Sequence, residues 1–270
     1  MQMCGIFAVT GGQDDAGETV LLGLRKLEYR GYDSWGIAVR TNNQIELTKD
    51  IGKISQAKEE FSPAGEAIGH SRWATHGGVT RENSHPHKFG RVTLAHNGIF
   101  ENYLEYKKEI GEDRFTSQTD SEVIAALIDL ALSEGKTPQE AIIETSQKIE
   151  GRFAILVMIE GEEGIYAARR GSPLILGRGQ SETYIASDIP AFLEHTKIVN
   201  YLDDDEMVYV HGSEAQFYNM LTGKSVQKRN IEVPWTAEEA EKGDFEHFML
   251  KEIFEQKETI SRAINMEESL

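Results

Sequence analysis

A single cysteine, Cys4, stands near the start of this 270-residue sequence, directly ahead of an apolar run. The thiolate form of cysteine is a strong nucleophile, and a cysteine that is the first residue of a chain carries its own base. Its α-amine, with a reference pKa of about 7.7–8.0, can accept the thiol proton near neutral pH. Such a residue could attack an amide. The alternative is a small apolar side chain in a first strand, because unpaired cysteine is among the most buried residue types.

Three further clusters carry the groups that amide chemistry on an amino acid would need. Arg72 can form a two-point pair with a carboxylate, and Asp120 can hold an ammonium group. The sequence Asn97-Gly98 can supply a side-chain amide and a backbone N–H to a developing oxyanion. Each also has a plainer interpretation. Arg72 could be a surface ion pair, Asn97-Gly98 a turn after a strand, and Asp120 a carboxylate placed at a helix start.

Composition limits the class of protein. With 39% hydrophobic residues the chain can bury a large core, and a lone cysteine cannot form an intramolecular disulfide. The sequence has neither a secretory leader pattern nor an apolar stretch long enough to span a membrane, which predicts a cytoplasmic protein. A formal net charge of −17 argues against binding to nucleic acid or to anionic lipid, since both partners favour Lys and Arg.

The apolar patterns predict two strand-rich regions on either side of a helical middle. Helical spacing predicts helices at 18–29, 101–110, 121–132 and 138–149. Strands are predicted at 4–10, 36–40, 44–48, 67–71, 92–96, 153–160, 164–169, 174–177, 183–187 and 207–211. This order favours α+β layers over regular βαβ alternation.

Two local signals refine this outline. Thr119, followed three residues later by Glu122, fits a capping box, which predicts Thr119 as the N-cap and Asp120 as a first-turn residue. From Pro234 onward the chain becomes polar, and apolar residues between 245 and 260 then fall near one helical face. That face must pack either on the protein's own core or on a partner.

Taken with Cys4, these clusters resemble the glutaminase domains of the glutamine–fructose-6-phosphate aminotransferases, which are class II, N-terminal-nucleophile glutamine amidotransferases. The resemblance covers most of the chain, and its specificity comes from the joint spacing of several motifs. The motifs are Cys4-Gly5-Ile6, Tyr29-Arg30-Gly31-Tyr32-Asp33-Ser34, Arg72-Trp73-Ala74-Thr75-His76-Gly77, His85-Pro86-His87 and His96-Asn97-Gly98. The fold that it implies is a four-layer αββα sandwich, over residues 4–236.

The resemblance also implies roles for single residues. Cys4 would attack the side-chain amide of L-glutamine and form a glutamyl thioester, and water would then release glutamate. Asn97 and Gly98 match the oxyanion hole, Arg72 the group that binds the α-carboxylate, and Asp120 the group that binds the α-ammonium. No metal or organic cofactor takes part. The residue types agree with this set, because an amino acid substrate needs a cation, an anion and oxyanion donors.

Further positions match in the same way. Trp73, Thr75 and His76 lie in a loop that in the family covers bound glutamine, and Arg30 matches an arginine that supports the active site near the nucleophile. Trp35 departs from the family, which has a small residue there. It is expected either to fill a pocket wall or to contact a partner.

The start of the sequence departs from the family as well. Residues 1–3 precede Cys4, whose amine can act as a base only if they are absent. Three alternatives follow. Translation begins at Met3, with loss of one methionine; or an extension is cleaved; or the extension is retained and the protein is inactive. We favour the first.

The family also continues beyond the length seen here. Residues 237–270 are interpreted as a linker and amphipathic segment that leads towards an absent sugar-phosphate isomerase module. Ammonia released by this chain would then serve to aminate a sugar phosphate, fructose 6-phosphate in the full enzyme, through a module joined in cis or bound in trans. The apolar face of the tail is compatible with docking and with a homo-oligomer.

Two other classes compete with this interpretation. A blocked Cys4 would leave a non-catalytic module that binds glutamine or a partner. Five histidines within 27 positions suggest a zinc hydrolase, although their spacing matches no helical ligand pair. They are His70, His76, His85, His87 and His96.

Overall fold

The computed structural model describes residues 4–12, 14–42, 44–74 and 77–234, together with residues 253 and 256. The chain divides into two compact units, Met1–Val233 and Pro234–Leu270. Almost all of the amphipathic segment expected at 245–260 falls outside the described residues. The division into 4–236 and 237–270 stays a prediction. Within the described part of the chain, no helix is long and apolar enough to cross a membrane.

The described residues form four α-helices and fifteen strands. The helices are α1 (Ala16–Lys26), α2 (Tyr103–Ile110), α3 (Ser121–Ser133) and α4 (Pro138–Lys148). The strands are β1 (Gly5–Thr10), β2 (Ser34–Thr41), β3 (Gln44–Ile51), β4 (Glu66–Arg72), β5 (His87–Phe89), β6 (Val92–Phe100), β7 (Gly151–Ile159), β8 (Ile165–Arg170), β9 (Ile175–Arg178), β10 (Thr183–Ala186), β11 (Ile198–Tyr201), β12 (Glu206–His211), β13 (Glu214–Asn219), β14 (Ser225–Val226) and β15 (Ile231–Glu232).

The strands pair into two antiparallel sheets. The first has the order β15-β11-β9-β10-β1-β4-β2-β3, and the second the order β14-β13-β12-β8-β7-β6-β5. In the first sheet β1 lies between β10 and β4, with Gly5 opposite Ser71. In the second, β6 pairs along its whole length with β7. The start of β1 and the ends of β4 and β10 therefore lie at one end of the first sheet.

A core between the two sheets joins them face to face. Ile6 and Ala8 of β1 pack there with Ala95 of β6 and Leu156 of β7. A second core lies on the outer face of the second sheet, under α3 and α4. Helix α1 packs on the outer face of the first sheet, against β1, β2 and β4. Helix, sheet, sheet and helices thus form the predicted αββα sandwich.

Glycine allows α1 to approach its sheet closely. A Cβ on Gly69 of β4 would come within 2.5 Å of a Val20 methyl and 2.7 Å of a Leu24 methyl, both on α1. A Cβ on Gly23 of α1 would lie 2.3 Å from the ring of Phe7. These distances are below van der Waals contact, so the separation of helix and sheet depends on the two missing side chains.

Most of the predicted elements are present at nearly the predicted bounds. The predicted hairpin forms between β2 and β3, and the helical middle holds α2, α3 and α4. The capping box predicted at Thr119 is wrong. Asp120 occupies the N-cap, and the Thr119 hydroxyl instead bonds His87 Nε2 at 3.0 Å. Glu122 turns away to accept backbone N–H groups, including that of Ser117 at 2.6 Å.

Candidate active site

The chemically capable residues converge from separate elements at one end of the two sheets. Cys4 directly precedes β1, and Arg72 ends the neighbouring strand β4. Asn97 and Gly98 lie within β6 of the second sheet, and Asp120 starts α3. Antiparallel pairing places the start of one strand beside the end of the next, which is why residues 68 positions apart in the sequence meet here.

The Cys4 thiol lies against the backbone that follows β4. The Trp73 N–H donates to Cys4 Sγ at 3.2 Å, and Sγ lies 3.6 Å from the Trp73 carbonyl oxygen. Burial raises the pKa of the Cys4 thiol, while the Trp73 N–H and the positive charge of Arg72 act in the opposite direction. The thiol therefore needs a nearby base to become a thiolate at neutral pH.

Asn97 and Gly98 do not form the turn that their sequence would allow. Strand β6 continues through them to Phe100, and they pair with Ala154 and Phe153 of β7. The Asn97 amide Nδ2 donates to the Cys4 carbonyl at 2.9 Å. A side-chain amide carries two N–H groups, so Asn97 Nδ2 can also donate to a second acceptor.

Gly98 has no room for a side chain. A Cβ there would lie 2.0 Å from the Arg152 carbonyl oxygen and 2.7 Å from His96 Nε2. Only glycine lets β6 approach β7 this closely beside the nucleophile.

Arg72 is nearly fully buried, and its guanidinium faces the loop that follows it. Its Nη1 donates to the Gly78 carbonyl at 3.0 Å. Burial lowers the pKa of Arg72, and the negative charges of Cys4, Asp33 and Asp120 oppose that effect. A cation, a carboxylate and a thiol thus lie within electrostatic reach of one another.

Asp120 is buried with both carboxylate oxygens hydrogen-bonded. The Phe100 N–H donates to Oδ2 at 2.7 Å, and the Ser121 hydroxyl donates to Oδ1 at 3.2 Å. The carboxylate is thereby fixed in one orientation beside the end of β6. An ionised group with unused lone pairs in that position can receive a ligand ammonium.

Arg30 holds the backbone of the nucleophile. Its Nε donates to the Cys4 carbonyl at 3.2 Å, so that carbonyl accepts from both Arg30 and Asn97. Asp188, just after β10, pairs with Arg30 Nη1 at 3.2 Å and accepts the Tyr29 hydroxyl at 2.6 Å. Neither Asp188 nor Tyr29 was given a role from the sequence, although Tyr29 stands inside the Tyr29–Ser34 motif.

The loop after Arg72 is held at its start. The Ala74 N–H donates to Asp33 Oδ2 at 2.8 Å, and the Trp73 ring meets Tyr32 edge-on with centroids 5.0 Å apart. Thr75 and His76, which the sequence analysis also assigned to substrate binding, lie outside the described residues. Asp33 was not singled out, although it stands inside the Tyr29–Ser34 motif.

Four of the five histidines form a buried group. The His70 and His85 rings stack with centroids 4.1 Å apart, and His87 meets His85 edge-on at 4.5 Å. His70 Nε2 lies 3.1 Å from the carbonyl oxygen of His96. Burial lowers the pKa of all four, that of His70 to about 3. Among the described residues no three His, Cys, Asp or Glu side chains are arranged to hold a metal ion.

Trp35 contributes to the core. It is 3% exposed and lies on β2 between Ser71 of β4 and Asp50 of β3. Side chains alternate along a strand, so it shares the α1-facing side of β2 with Ile37. Of the two expectations for this residue, contact with a partner is wrong, because the side chain is buried within the protein.

Comparison with known proteins agrees with this geometry. Residues 78–194 match the glutamine amidotransferase domain family. The chain is 46% identical over 262 residues to the glutamine–fructose-6-phosphate aminotransferase of Thermus thermophilus, covering 94% of this chain and 43% of that protein. It is 43% identical to the protein of the same name in Methanothermobacter thermautotrophicus, covering 96% and 45%. The chain thus spans about half the length of these relatives.

Solved structures show the same fold. Glutamine phosphoribosylpyrophosphate amidotransferase from B. subtilis superimposes with a TM-score of 0.68 at 25% identity, over 80% of this chain and 49% of that one. An allosteric regulatory enzyme of purine biosynthesis gives a TM-score of 0.69 at 26% identity over the same shares.

The fold, the site and these relatives define the class. Residues 78–194 match a glutamine amidotransferase domain, and the fold of the chain is that of a solved glutamine amidotransferase. Within that class, the chain is similar to the glutamine–fructose-6-phosphate aminotransferases over slightly less than half of their length. The identities range from 40% to 46% among these relatives.

Proposed function

We propose that this chain hydrolyses L-glutamine to L-glutamate and ammonia through a thioester on Cys4. The observation that carries the proposal is the convergence of the Cys4 thiol, the buried Arg72 guanidinium and the buried Asp120 carboxylate at one end of the sandwich. These groups complement an amino acid that carries a side-chain amide. Arg72 would bind the α-carboxylate and Asp120 the α-ammonium.

The chemistry follows from the nucleophile and its donors. The α-amine of Cys4 takes the thiol proton, and the thiolate adds to the amide carbonyl carbon. The resulting oxyanion accepts the second N–H of the Asn97 amide and the backbone N–H of Gly98. The C–N bond then breaks as the α-ammonium of Cys4 returns the proton to the leaving ammonia. Water adds to the thioester, and the C–S bond breaks to free glutamate and the thiol.

The remaining groups prepare this site. Arg30, held by Asp188, fixes the Cys4 carbonyl and hence the direction of the thiol. Trp73, Thr75 and His76 belong to the loop proposed to cover glutamine. Because burial raises the pKa of the thiol, a free Cys4 amine is needed as the base, which requires that residues 1–3 be removed.

The ammonia has a proposed destination. The relatives are named for an amino transfer from glutamine to fructose 6-phosphate, and these proteins are about twice as long as this chain. We therefore propose that a sugar-phosphate isomerase module, in cis or in trans, receives the ammonia and aminates a sugar phosphate in hexosamine synthesis. A cytoplasmic location and a homo-oligomer remain part of this proposal.

Intact mass, N-terminal sequencing and a glutamate-release assay test the proposal together. Protein that begins at Cys4 is expected to release glutamate and ammonia in equal amounts, and the Cys4→Ala variant to release neither. A diazoketone analogue of glutamine should add one label per chain, on Cys4. Undiminished hydrolysis by Cys4→Ala would overturn the nucleophile. A chain that starts at Cys4, binds glutamine and does not hydrolyse it would favour a binding module instead.

A further inference from the structure

The orientation of Asp120 is set by groups that the reaction itself does not use. Asp120 is 5% exposed, and its two oxygens accept from different elements, Oδ2 from the β6 backbone at Phe100 and Oδ1 from Ser121 of α3. A carboxylate held at one oxygen can rotate about its Cβ–Cγ bond, whereas one held at both cannot. The Ser121 bond therefore fixes the plane in which the remaining lone pairs lie.

The Ser121 hydroxyl lies between two polar neighbours, Asp120 and His96. The hydroxyl has one hydrogen, and Asp120 can only accept it when ionised. His96 Nδ1 lies 2.9 Å from the same Ser121 Oγ, and in the tautomer that carries the ring hydrogen on Nδ1 this nitrogen donates to the hydroxyl. In that tautomer the hydrogen bonds run from His96 to Ser121 to Asp120, and all three residues are at least 95% buried.

The same histidine adjoins the oxyanion segment. His96 directly precedes Asn97 and Gly98 on β6, and its backbone carbonyl lies 3.1 Å from His70 Nε2. Burial keeps the pKa of His96 below the usual histidine range. A neutral ring with its hydrogen on Nδ1 suits the donor role, and these hydrogen bonds link the ammonium-binding carboxylate to the strand that carries the oxyanion donors.

We propose that Ser121, supported by His96, is the positioning residue that aims Asp120 at the α-ammonium of the substrate and so sets the preference for α-amino acid amides. This inference rests on the proposed glutaminase function. Ser121 does not touch the reacting atoms. Its loss should weaken binding of ligands that carry an α-ammonium and leave ligands without one unaffected.

The test compares two inhibitors of glutamine hydrolysis in the full chain with Cys4 free. L-glutamate carries the α-ammonium, and glutarate is the same dicarboxylate without it. Ser121→Ala is expected to weaken inhibition by L-glutamate about tenfold and to change that by glutarate less than about twofold. The KM for glutamine should rise by a similar factor, with a smaller effect on kcat.

Matched variants separate positioning from folding. Ser121→Thr keeps the hydroxyl and should retain the preference, whereas Ser121→Cys keeps the size but is a weak donor and should lose it. Ser146→Ala removes another buried helical hydroxyl, which bonds the Ile143 carbonyl of its own helix, and should leave both inhibitors unchanged. Thermal unfolding of each variant identifies any that does not fold. If Ser121→Ala fails to fold, the inhibition ratio of Ser121→Cys is used to test the proposal.

The outcomes separate the two proposals. Wild-type protein that starts at Cys4 yet neither hydrolyses glutamine nor binds L-glutamate would overturn the proposed function and this inference with it. Wild-type protein that hydrolyses glutamine, beside folded Ser121→Ala and Ser121→Cys variants with an unchanged glutamate-to-glutarate ratio, would overturn the inference alone. A selective loss of glutamate binding, restored in Ser121→Thr, would support both.

Discussion

The carbonyl of Cys4 accepts two hydrogen bonds, one from Arg30 and one from Asn97, and this shared contact ties the nucleophile to both sheets. Asn97 belongs to the second sheet, whereas Arg30 follows α1 and is held in turn by Asp188. A thiol joined to such a fixed backbone through one rotatable Cα–Cβ bond has few orientations to search. Positioning of this kind contributes to the rate through proximity rather than through binding strength.

Asp188 is therefore predicted to affect turnover more than stability. The Asp188→Asn substitution removes the charge that holds Arg30, and because the carboxylate is 36% exposed the free energy of unfolding should fall by less than about 1 kcal/mol. Glutaminase kcat should fall about tenfold, since Arg30 can then leave the Cys4 carbonyl. Glu194→Gln, which breaks the surface pair between Lys26 and Glu194, is the control. Equal effects on kcat in the two variants would contradict the role of Asp188.

The buried Cys4 thiol should give its alkylation rate a shifted dependence on pH. Burial favours its neutral form, so the thiolate fraction at pH 7 is smaller than in the unfolded chain and grows as pH rises. In protein that retains residues 1–3, alkylation of Cys4 by iodoacetamide should still be accelerating at about pH 8.5, where an ordinary thiol is half ionised. Arg72→Gln removes a charge that lowers the thiol pKa and should slow the reaction at each pH. A plateau below pH 8 would contradict the assignment, and the lone cysteine makes the label unambiguous.

At the level of elements, strand β6 combines two requirements in two adjacent residues. Asn97 must present its amide to Cys4, and Gly98 must let the strand pass the Arg152 carbonyl. Local sequence alone favoured a turn at this point, but nine residues of pairing with β7 keep the strand extended. Long-range pairing outweighed a local turn preference.

Gly98→Ala should therefore damage both the strand and the site. The added methyl would meet backbone oxygen at 2.0 Å, so β6 must move away from β7, and the free energy of unfolding should fall by about 3 kcal/mol. Glutaminase activity should be lost even at temperatures where the variant stays folded. Gly65→Ala is the matched control, because the nearest atom to its added Cβ is 3.5 Å away. An active and stable Gly98→Ala protein would contradict this prediction, because β6 would then accept the methyl without damage to the site.

The elements also show what a sequence can predict. Buried strands such as β1 and β7 carry long apolar runs, and they form where predicted. The short strands β5, β11 and β13 were not predicted, because none of them carries a long apolar run. β5 and β13 form hairpins with β6 and β12, and β11 pairs with β9. The cap at Thr119 was predicted wrongly for a different reason. His87, 32 positions away, takes the hydroxyl that local pattern assigned to the helix.

Some residues of the candidate site could likewise be predicted from the sequence, and others could not. Residue type marked Cys4, Arg72 and Asp120, because thiol, guanidinium and carboxylate have recognisable chemistry. Asp188 carried no such signal, since its partner Arg30 is 158 positions away. The hydrogen-bond direction at Ser121 likewise depends on the folded arrangement. Supporting residues are harder to predict than reacting ones, because their role is defined by neighbours that only the fold supplies.

Across the whole molecule, polar groups join the two sheets at both ends of the sandwich. At the end away from Cys4, buried Glu66 of β4 pairs with Arg40 of β2 at 2.6 Å and accepts the Gly164 N–H at 2.8 Å from beside the second sheet. At the other end, the four buried histidines lie among β4, β5 and β6. The first group is held by charge pairing, whereas the second depends on its rings staying neutral.

Those histidines should make the fold sensitive to acid. Burial lowers the pKa of His85 well below its usual value, so the folded protein keeps the ring neutral while the unfolded chain takes up a proton near pH 6.5. Stability from this group is therefore fully present above about pH 6.5 and declines as pH falls. Each such ring contributes a loss of about 1.4 kcal/mol between pH 7.5 and pH 5.5.

His85→Phe isolates the contribution of one ring. His85 makes ring contacts with His70 and His87, and neither of its nitrogens has a hydrogen-bond partner among the described residues. Phenylalanine can keep the aromatic contacts and cannot be protonated. The variant should lose about 1.4 kcal/mol less than wild type when urea unfolding at pH 7.5 is compared with that at pH 5.5. An unchanged loss in His85→Phe would mean that this ring is already protonated in the fold.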